Sequence, residues 1–149
     1  MDAEMVMSIG KIGAVAALSL AAMGSALGTG AAGAAAIGAW KRCYAQSKAA
    51  PFMLIAFVGA PLSQTIYGMI LMFVMNGRIE EGAPWPQMVG AGVFAGLAMG
   101  FSAWMQGRAG AGGSHALAET GEGFTNYLAA LGVIETVAIF TMVFTFFVI

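Results

Sequence analysis

A single carboxylate, Glu135, lies within a long uncharged stretch near the end of this 149-residue chain, in the segment ALGVIETVAIF. The nearest charged residue before it is Glu122, and none follows it. An isolated carboxylate in the interior of a bilayer is unfavourable by a few kcal/mol or more, so it is expected to be paired, protonated or bound to a cation. Glu135 is therefore the first candidate for an ion-carrying group.

Amide side chains lie at comparable depth in two other apolar stretches. Gln64 and Glu135 lie 13 and 11 residues, respectively, from the predicted starts of their helices near residues 51 and 124. These separations correspond to roughly 16 to 20 Å along a helix axis. Gln106 lies about as far from the predicted end of its helix, near residue 116. Three polar side chains from three helices therefore share one depth, near the middle of a bilayer.

Hydroxyl groups add to this set. Ser63 and Tyr67 are four residues apart and lie on one helix face, and Gln64 can reach the same region from the edge of that face. Carboxylate, amide and hydroxyl oxygens together are the ligands that small hard cations accept. Glutamine and serine in membrane helices also serve simply to link helices, and the sequence leaves that alternative open. The predicted ion-binding side chains are Glu135, Gln64, Gln106, Ser63 and Tyr67, with Thr65 and Thr136 beside them.

Pro61 lies inside the predicted second helix. A proline removes one backbone hydrogen bond from a helix and distorts the preceding turn, so carbonyl groups there become available. We expect the backbone carbonyl of Ala60 to be such a ligand. A kink that the helix simply tolerates is the alternative.

Composition places these residues in a membrane protein. The chain is 60% hydrophobic and only 9% charged, which lies outside the range of soluble globular domains. Charged residues divide it into four stretches, at 12–40, 49–77, 82–107 and 123–149, each longer than the roughly 20 residues that cross hydrocarbon. We predict an all-α fold with four transmembrane helices, at about 5–40, 51–76, 85–116 and 124–149.

The sequence offers no sign of catalytic chemistry. The glycines of GTGAAGAAAIG follow no strand and precede no Lys-Ser or Lys-Thr pair, so they do not form a nucleotide-binding loop. Cys43 and His115 are single and form no metal-ligand cluster.

Basic residues indicate how the helices are oriented. The first loop, KRCYAQSK, carries three basic residues and no acid. By the positive-inside rule, this turn, near residues 41–50, is expected in the cytoplasm of a cell-membrane protein. The second turn, near 111–123, then lies on the same side, with Arg108 at the predicted helix end in agreement, and both termini lie outside.

The two halves of the chain resemble each other, as two helical hairpins at 1–76 and 77–149. A shift of 77 residues aligns eight identical residues of the first helices, including Ser25 with Ser102, and a shift of 73 aligns five of the second helices, including Phe73 with Phe146. Glu135 then falls opposite Leu62, so only one hairpin carries an acid. A duplicated hairpin with one carboxylate is predicted.

The first helix of each hairpin differs in kind from the second. Small residues recur at four-residue spacing in helices 1 and 3, which permits close helix approach in lipid, whereas helices 2 and 4 carry the bulky aromatic residues. One consistent arrangement is an inner pair of helices 1 and 3 with 2 and 4 outside, and an ordinary four-helix bundle is the alternative. The small-residue positions are Gly24, Gly28, Ala32 and Ala36 in helix 1 and Gly92, Gly96 and Gly100 in helix 3.

At these residues the sequence resembles the membrane rotor proteolipid of V-type ATPases, also called the K or c subunit. The resemblance covers nearly the whole chain and rests on the duplicated hairpin, the helix 4 glutamate, the segment APLSQTIYG of helix 2 and MQGRAGAGG of helix 3. Sodium-translocating bacterial members are most similar, because they use a Thr-Gln pair after the helix 2 proline, a helix 3 glutamine and a tyrosine after the pair. Ser63 stands where that family has threonine and Ala60 where it has leucine, and neither change removes an oxygen.

The resemblance implies a homo-oligomeric rotor ring that translocates Na+ as it rotates. A stator subunit would offer an arginine to the emptied glutamate, the central stalk would contact the cytoplasmic turns, and ATP hydrolysis would occur in other subunits. The implied sodium ligands are Glu135, Gln64, Gln106 and Ser63, with the Ala60 carbonyl, and Tyr67 closes the site.

Other functions remain as alternatives. A proton needs only the carboxylate and one acceptor, so two glutamines and a serine at membrane depth favour Na+ over H+. A small four-helix cation or drug exporter is less favoured, because that family has its acid in the first helix and a bulky lipophilic cation needs an aromatic-lined cavity. A structural tetraspan adaptor would leave Glu135 unexplained.

Overall fold

The computed structural model describes residues 2–149, and this part of the chain is helical apart from short turns. Four helical segments are long and apolar enough to cross a membrane, and the second is interrupted by one turn of 3-10 helix at Ala60–Leu62. The predicted all-α membrane fold with four spans is therefore confirmed. The helices are α1 (Ala3–Ala45), α2 (Leu54–Gly59), α3 (Ser63–Glu80), α4 (Trp85–Thr120) and α5 (Phe124–Phe146).

The helix bounds differ from the prediction mainly at the turns. α1 and α4 run past the predicted ends at residues 40 and 116, whereas α2 begins at Leu54 and α5 ends at Phe146. The second turn therefore contains only residues 121–123, where the sequence predicts 111–123. Gly121 and Gly123 have φ angles of 73° and 87°, a backbone conformation that favours glycine, and this is where the chain reverses.

The predicted position of Arg108 at a helix end is wrong. α4 continues for 12 residues after it, to Thr120, which is about 18 Å along the axis. The following segment, AGAGGSHALAET, stays helical because Gly110, Gly113, Ser114 and Leu117 on one of its faces are buried. Gly110, for example, packs against the backbone of Phe57. Arg108 therefore gives no support to the expected sidedness of the second turn.

The two turns lie at the same end of the molecule. Arg42, near the end of α1, forms an ion pair with Glu119, near the end of α4. At the opposite end, Gln87 near the start of α4 donates a hydrogen bond to the carbonyl oxygen of Val148. The chain thus forms two hairpins side by side, and α1 runs parallel to α4.

α1 and α4 pack with their backbones nearly in contact. Gly24 and Gly28 face α4, Gly100 and Gly107 face α1, and a methyl group at any of the four would overlap the backbone of the facing helix. In lipid such close van der Waals packing is a main source of helix association. The small residues predicted for this purpose in both helices are all buried.

α3 and α5 cover this pair from one side and leave bulky apolar residues exposed. Phe73 of α3 and Val133, Phe140 and Phe144 of α5 are each more than half exposed. Exposed apolar faces on membrane-spanning helices are suited to lipid or to another apolar helix. The predicted division into a small-residue pair and a bulky pair therefore describes the protomer.

The α1–α4 contact can be tested with single methyl groups. Gly24→Ala is expected to lower the free energy of unfolding by about 1–3 kcal/mol, because the methyl forces the two backbones apart. Gly30→Ala, on an open face of the same helix, is the matched control and is expected to raise it by up to about 1 kcal/mol, because alanine favours a helix over glycine. Denaturant titration of the solubilised protein would measure both, and equal effects would contradict the close contact.

Candidate ion-binding site

Glu135 lies where α5 packs against α3 and α4, and both of its carboxylate oxygens accept hydrogen bonds. The Tyr67 hydroxyl donates to Oε1 (2.5 Å), and the Gln106 amide nitrogen donates to Oε2 (3.1 Å). A carboxylate in apolar surroundings is stabilised by such donors. α3 and α4 therefore each supply one donor to the single acidic residue of α5.

Behind Glu135, two buried amides are joined in series. Gln64 Nε2 donates to Gln106 Oε1 (2.8 Å), and Gln106 Nε2 also donates to the carbonyl oxygen of Leu131 (3.0 Å). Both glutamine side chains are fully buried, so their polar atoms must be satisfied within the protein. The three side chains predicted to share one depth thus meet in the fold.

Ser63 lies at the start of α3, directly after the turn that contains Pro61. Its Oγ is placed to donate to the carbonyl oxygen of Ala60 (3.0 Å) or to Gln64 Oε1 (3.2 Å). The Ser63 backbone N–H also donates to the Ala60 carbonyl. Proline was expected to leave this carbonyl open, but the chain tightens into a 3-10 turn that occupies it. The carbonyl that loses its helical donor to the proline is that of Phe57, four residues earlier.

Thr65 and Thr136 lie outside this hydrogen-bonded cluster. Thr136 is exposed, and its hydroxyl donates to the carbonyl of Val133 in its own helix (2.7 Å). None of the hydrogen bonds that link the cluster involves Thr65. Neither threonine therefore holds a residue of the site in this structure.

Ser102 is a residue of the site that the sequence reasoning missed. Its Oγ donates to the carbonyl oxygen of Ile134 (2.9 Å), the residue before Glu135. Ser102 precedes Gln106 by four residues and so shares its helix face, and together they hold two backbone carbonyls of α5. The four-residue spacing from Gln106 was the available signal.

The donor set limits what the site can bind. Across residues 2–149, no group of three or more His, Cys, Asp or Glu residues lies together to hold a metal ion. The cluster offers instead one carboxylate with amide and hydroxyl oxygens. Such a set suits a proton or a hard cation of low charge and does not suit a soft transition metal.

The role of Ser102 in joining α4 to α5 is testable. Ser102→Ala is expected to lower the free energy of unfolding by about 0.5–1.5 kcal/mol, because an interhelical hydrogen bond is lost. Ser114→Ala is the matched control, since Ser114 is also buried in α4 but its hydroxyl bonds within its own helix, to Gly110. Equal destabilisation by the two variants in a denaturant titration would contradict an interhelical role.

The second hairpin is similar to a known protein family. The family model that describes the C subunit of ATP synthase matches residues 89–148, which include most of α4 and all of α5. Gln106 and Glu135 lie within the match, whereas Gln64, Ser63 and Tyr67 lie in the hairpin outside it. No curated protein matches the chain. The second hairpin of this multi-pass membrane protein is therefore similar to the C subunit of ATP synthase.

Proposed function

We propose that the chain is the K or c subunit in the rotor ring of a V-type rotary ATPase or ATP synthase, and that it carries Na+ at Glu135. The observation that supports this most directly is a single carboxylate held by Tyr67 and Gln106 between apolar spans. The match of residues 89–148 to the C subunit of ATP synthase supports the same function.

Loading of Na+ requires the amide groups to turn. In the structure the N–H groups of Gln64 and Gln106 point along the series toward Glu135, an arrangement that stabilises a carboxylate without a cation. When the amides turn, both amide oxygens, the carboxylate and the Ser63 hydroxyl face one Na+. The Ala60 carbonyl accepts from the Ser63 backbone N–H and is the further ligand through its second lone pair, which becomes free when Ser63 Oγ, now 3.0 Å away, turns to Na+.

Charge neutralisation explains how such a site couples to rotation. With Na+ bound, Glu135 is close to neutral and can pass lipid, whereas the bare anion is held back by the unfavourable transfer of charge into hydrocarbon. Neighbouring residues of α5 at Val133 and Val137 are exposed and apolar. Ions therefore load and leave only where a stator subunit provides water and an arginine that pairs with emptied Glu135.

The choice of Na+ over H+ rests on the buried amides. Proton carriage requires only a carboxylate and one acceptor, which Tyr67 and Glu135 supply without either glutamine. Gln64 and Gln106 are fully buried, and burying two amides is unfavourable unless their polar atoms are used. Proton translocation is the alternative cargo for the same ring.

The assembly follows from the same proposal. Identical protomers form a ring, with α1 and α4 on the inside and the bulky faces of α3 and α5 outside. The two turns, which lie at one end of the chain, face the cytoplasm and meet the central stalk, and the termini lie outside. Lys41, Arg42 and Lys48 in and beside the first turn support this orientation.

Covalent modification of Glu135 by a hydrophobic carbodiimide tests the cargo. We expect Na+ to protect Glu135 at constant pH, because the bound ion excludes the reactive protonated carboxyl group. Gln106→Leu is expected to raise the half-protecting Na+ concentration at least tenfold, through loss of one ligand oxygen. Gln87→Leu, an exposed glutamine of the same helix, is the control. Labelling that responds to pH and not to Na+ would favour H+.

The mass of the detergent-solubilised assembly tests the ring. A rotor ring requires many copies of the 15.2 kDa chain. An assembly of two chains would contradict the ring and would favour the exporter alternative.

A further inference from the structure

Turning the Gln64 amide places its two N–H groups in a fully buried position. The side chain is fully buried, and its nitrogen now donates to Gln106 Oε1. After the turn, Ser63 Oγ, which lies 3.2 Å from the present position of Gln64 Oε1, can accept one N–H. The second N–H requires another acceptor, because a buried donor without a partner is strongly unfavourable.

Ser25 of α1 carries a buried hydroxyl that has no partner. The residue is 2% exposed, and its Oγ is the one fully enclosed side-chain oxygen or nitrogen in residues 2–149 that forms no hydrogen bond. The other buried serines, Ser102 and Ser114, each donate to a backbone carbonyl. Buried polar groups without partners are uncommon in folded proteins, so the Ser25 oxygen requires an explanation.

The helix register places Ser25 at the level of Gln64. α1 runs antiparallel to α3, and a methyl group at Gly68 would lie 2.8 Å from Ala21 Cβ, whereas one at Gly28 would lie 2.9 Å from Pro61 Cβ. On α1, Ser25 lies four residues after Ala21 and three before Gly28. On the antiparallel α3 side, Gln64 lies four residues before Gly68 and three after Pro61, so the two residues face each other. Both residues are buried, so their side chains lie on the packed faces of the two helices.

The internal repeat independently places Ser25 beside the turn that contains Pro61. Ser25 aligns with Ser102, and residue 61 aligns with residue 134. Ser102 donates to the carbonyl of Ile134 across the second hairpin. The first hairpin has a proline and a 3-10 turn at the equivalent place, and Ser25 makes no such bond there.

We propose that Ser25 is a positioning residue of the sodium site, and this inference rests on the function proposed above. Its hydroxyl oxygen accepts the second N–H of Gln64 when the amide turns its oxygen toward Na+. Ser25 does not touch the ion and acts through Gln64. The hydroxyl therefore favours the arrangement in which the Gln64 oxygen faces Na+, and it does not affect the one in which Gln64 donates to Gln106.

Ser25→Ala removes the oxygen without adding volume. In the solubilised full-chain assembly at constant pH, we measure the Na+ concentration that half-protects Glu135 from carbodiimide. It is expected to rise about fivefold to tenfold, because one hydrogen bond to a buried amide is lost. The pH profile of labelling without Na+ is expected to stay the same, because the empty site does not use Ser25. A purely structural role would change stability and leave the Na+ midpoint in place.

Three further variants complete the experiment. Ser114→Ala, which removes a buried hydroxyl remote from Gln64, is expected to leave the midpoint unchanged, and Ser25→Thr, which keeps the hydroxyl, is expected to restore it. In a Gln64→Leu background, which lacks the donor, Ser25→Ala is expected to have no added effect.

The outcomes separate the inference from the function on which it rests. If the unchanged protein is protected by Na+ and Ser25→Ala has the same midpoint, the role of Ser25 is overturned and the sodium function stands. If Ser114→Ala shifts the midpoint as much as Ser25→Ala does, the role of Ser25 is also overturned. If Na+ does not protect the unchanged protein, both proposals fail.

Discussion

A carboxylate surrounded by apolar helices has to be stabilised by specific donors or ligands, and this requirement organises the polar residues of the chain. Glu135 is partly buried and accepts bonds from Tyr67 and Gln106. Gln106 in turn needs a partner for its own oxygen, which Gln64 supplies. Each buried polar group thus requires a hydrogen-bond partner, which is itself a buried polar group. The single unfavourable charge therefore explains why polar side chains occur on three helices.

α4 makes this network possible because its two faces perform different tasks. Its glycines let the backbone approach α1 closely, whereas Ser102 and Gln106 on another face hold backbone carbonyls of α5. Close backbone contact on one side limits how α4 can shift. The polar side chains on its other face therefore stand at a fixed depth and rotation relative to Glu135.

Much of this arrangement could be predicted, because polar residues in membrane spans have few options. The types and depths of Gln64, Gln106 and Glu135 were sufficient to predict that they meet. The directions of the amide N–H groups, the role of Ser102 and the occupied Ala60 carbonyl could not be predicted, since each depends on the facing backbone. The second turn was predicted to begin near residue 111, where the third uncharged stretch has ended. The segment instead stays helical to Thr120, because Gly110, Gly113 and Leu117 are buried against other helices, and the charge pattern does not show that packing.

The length of α1 has a mechanical consequence. Its 43 residues extend about 65 Å as one continuous helix, roughly twice the thickness of a hydrocarbon core. α4 runs beside it, with few side chains between them to rearrange, and Arg42 and Glu119 join the two near their ends. A sideways force on the turns is therefore transmitted by the packed pair of helices α1 and α4 and not by loops. If an assembly of such chains needs an elastic element, that element lies in the protein that contacts the turns.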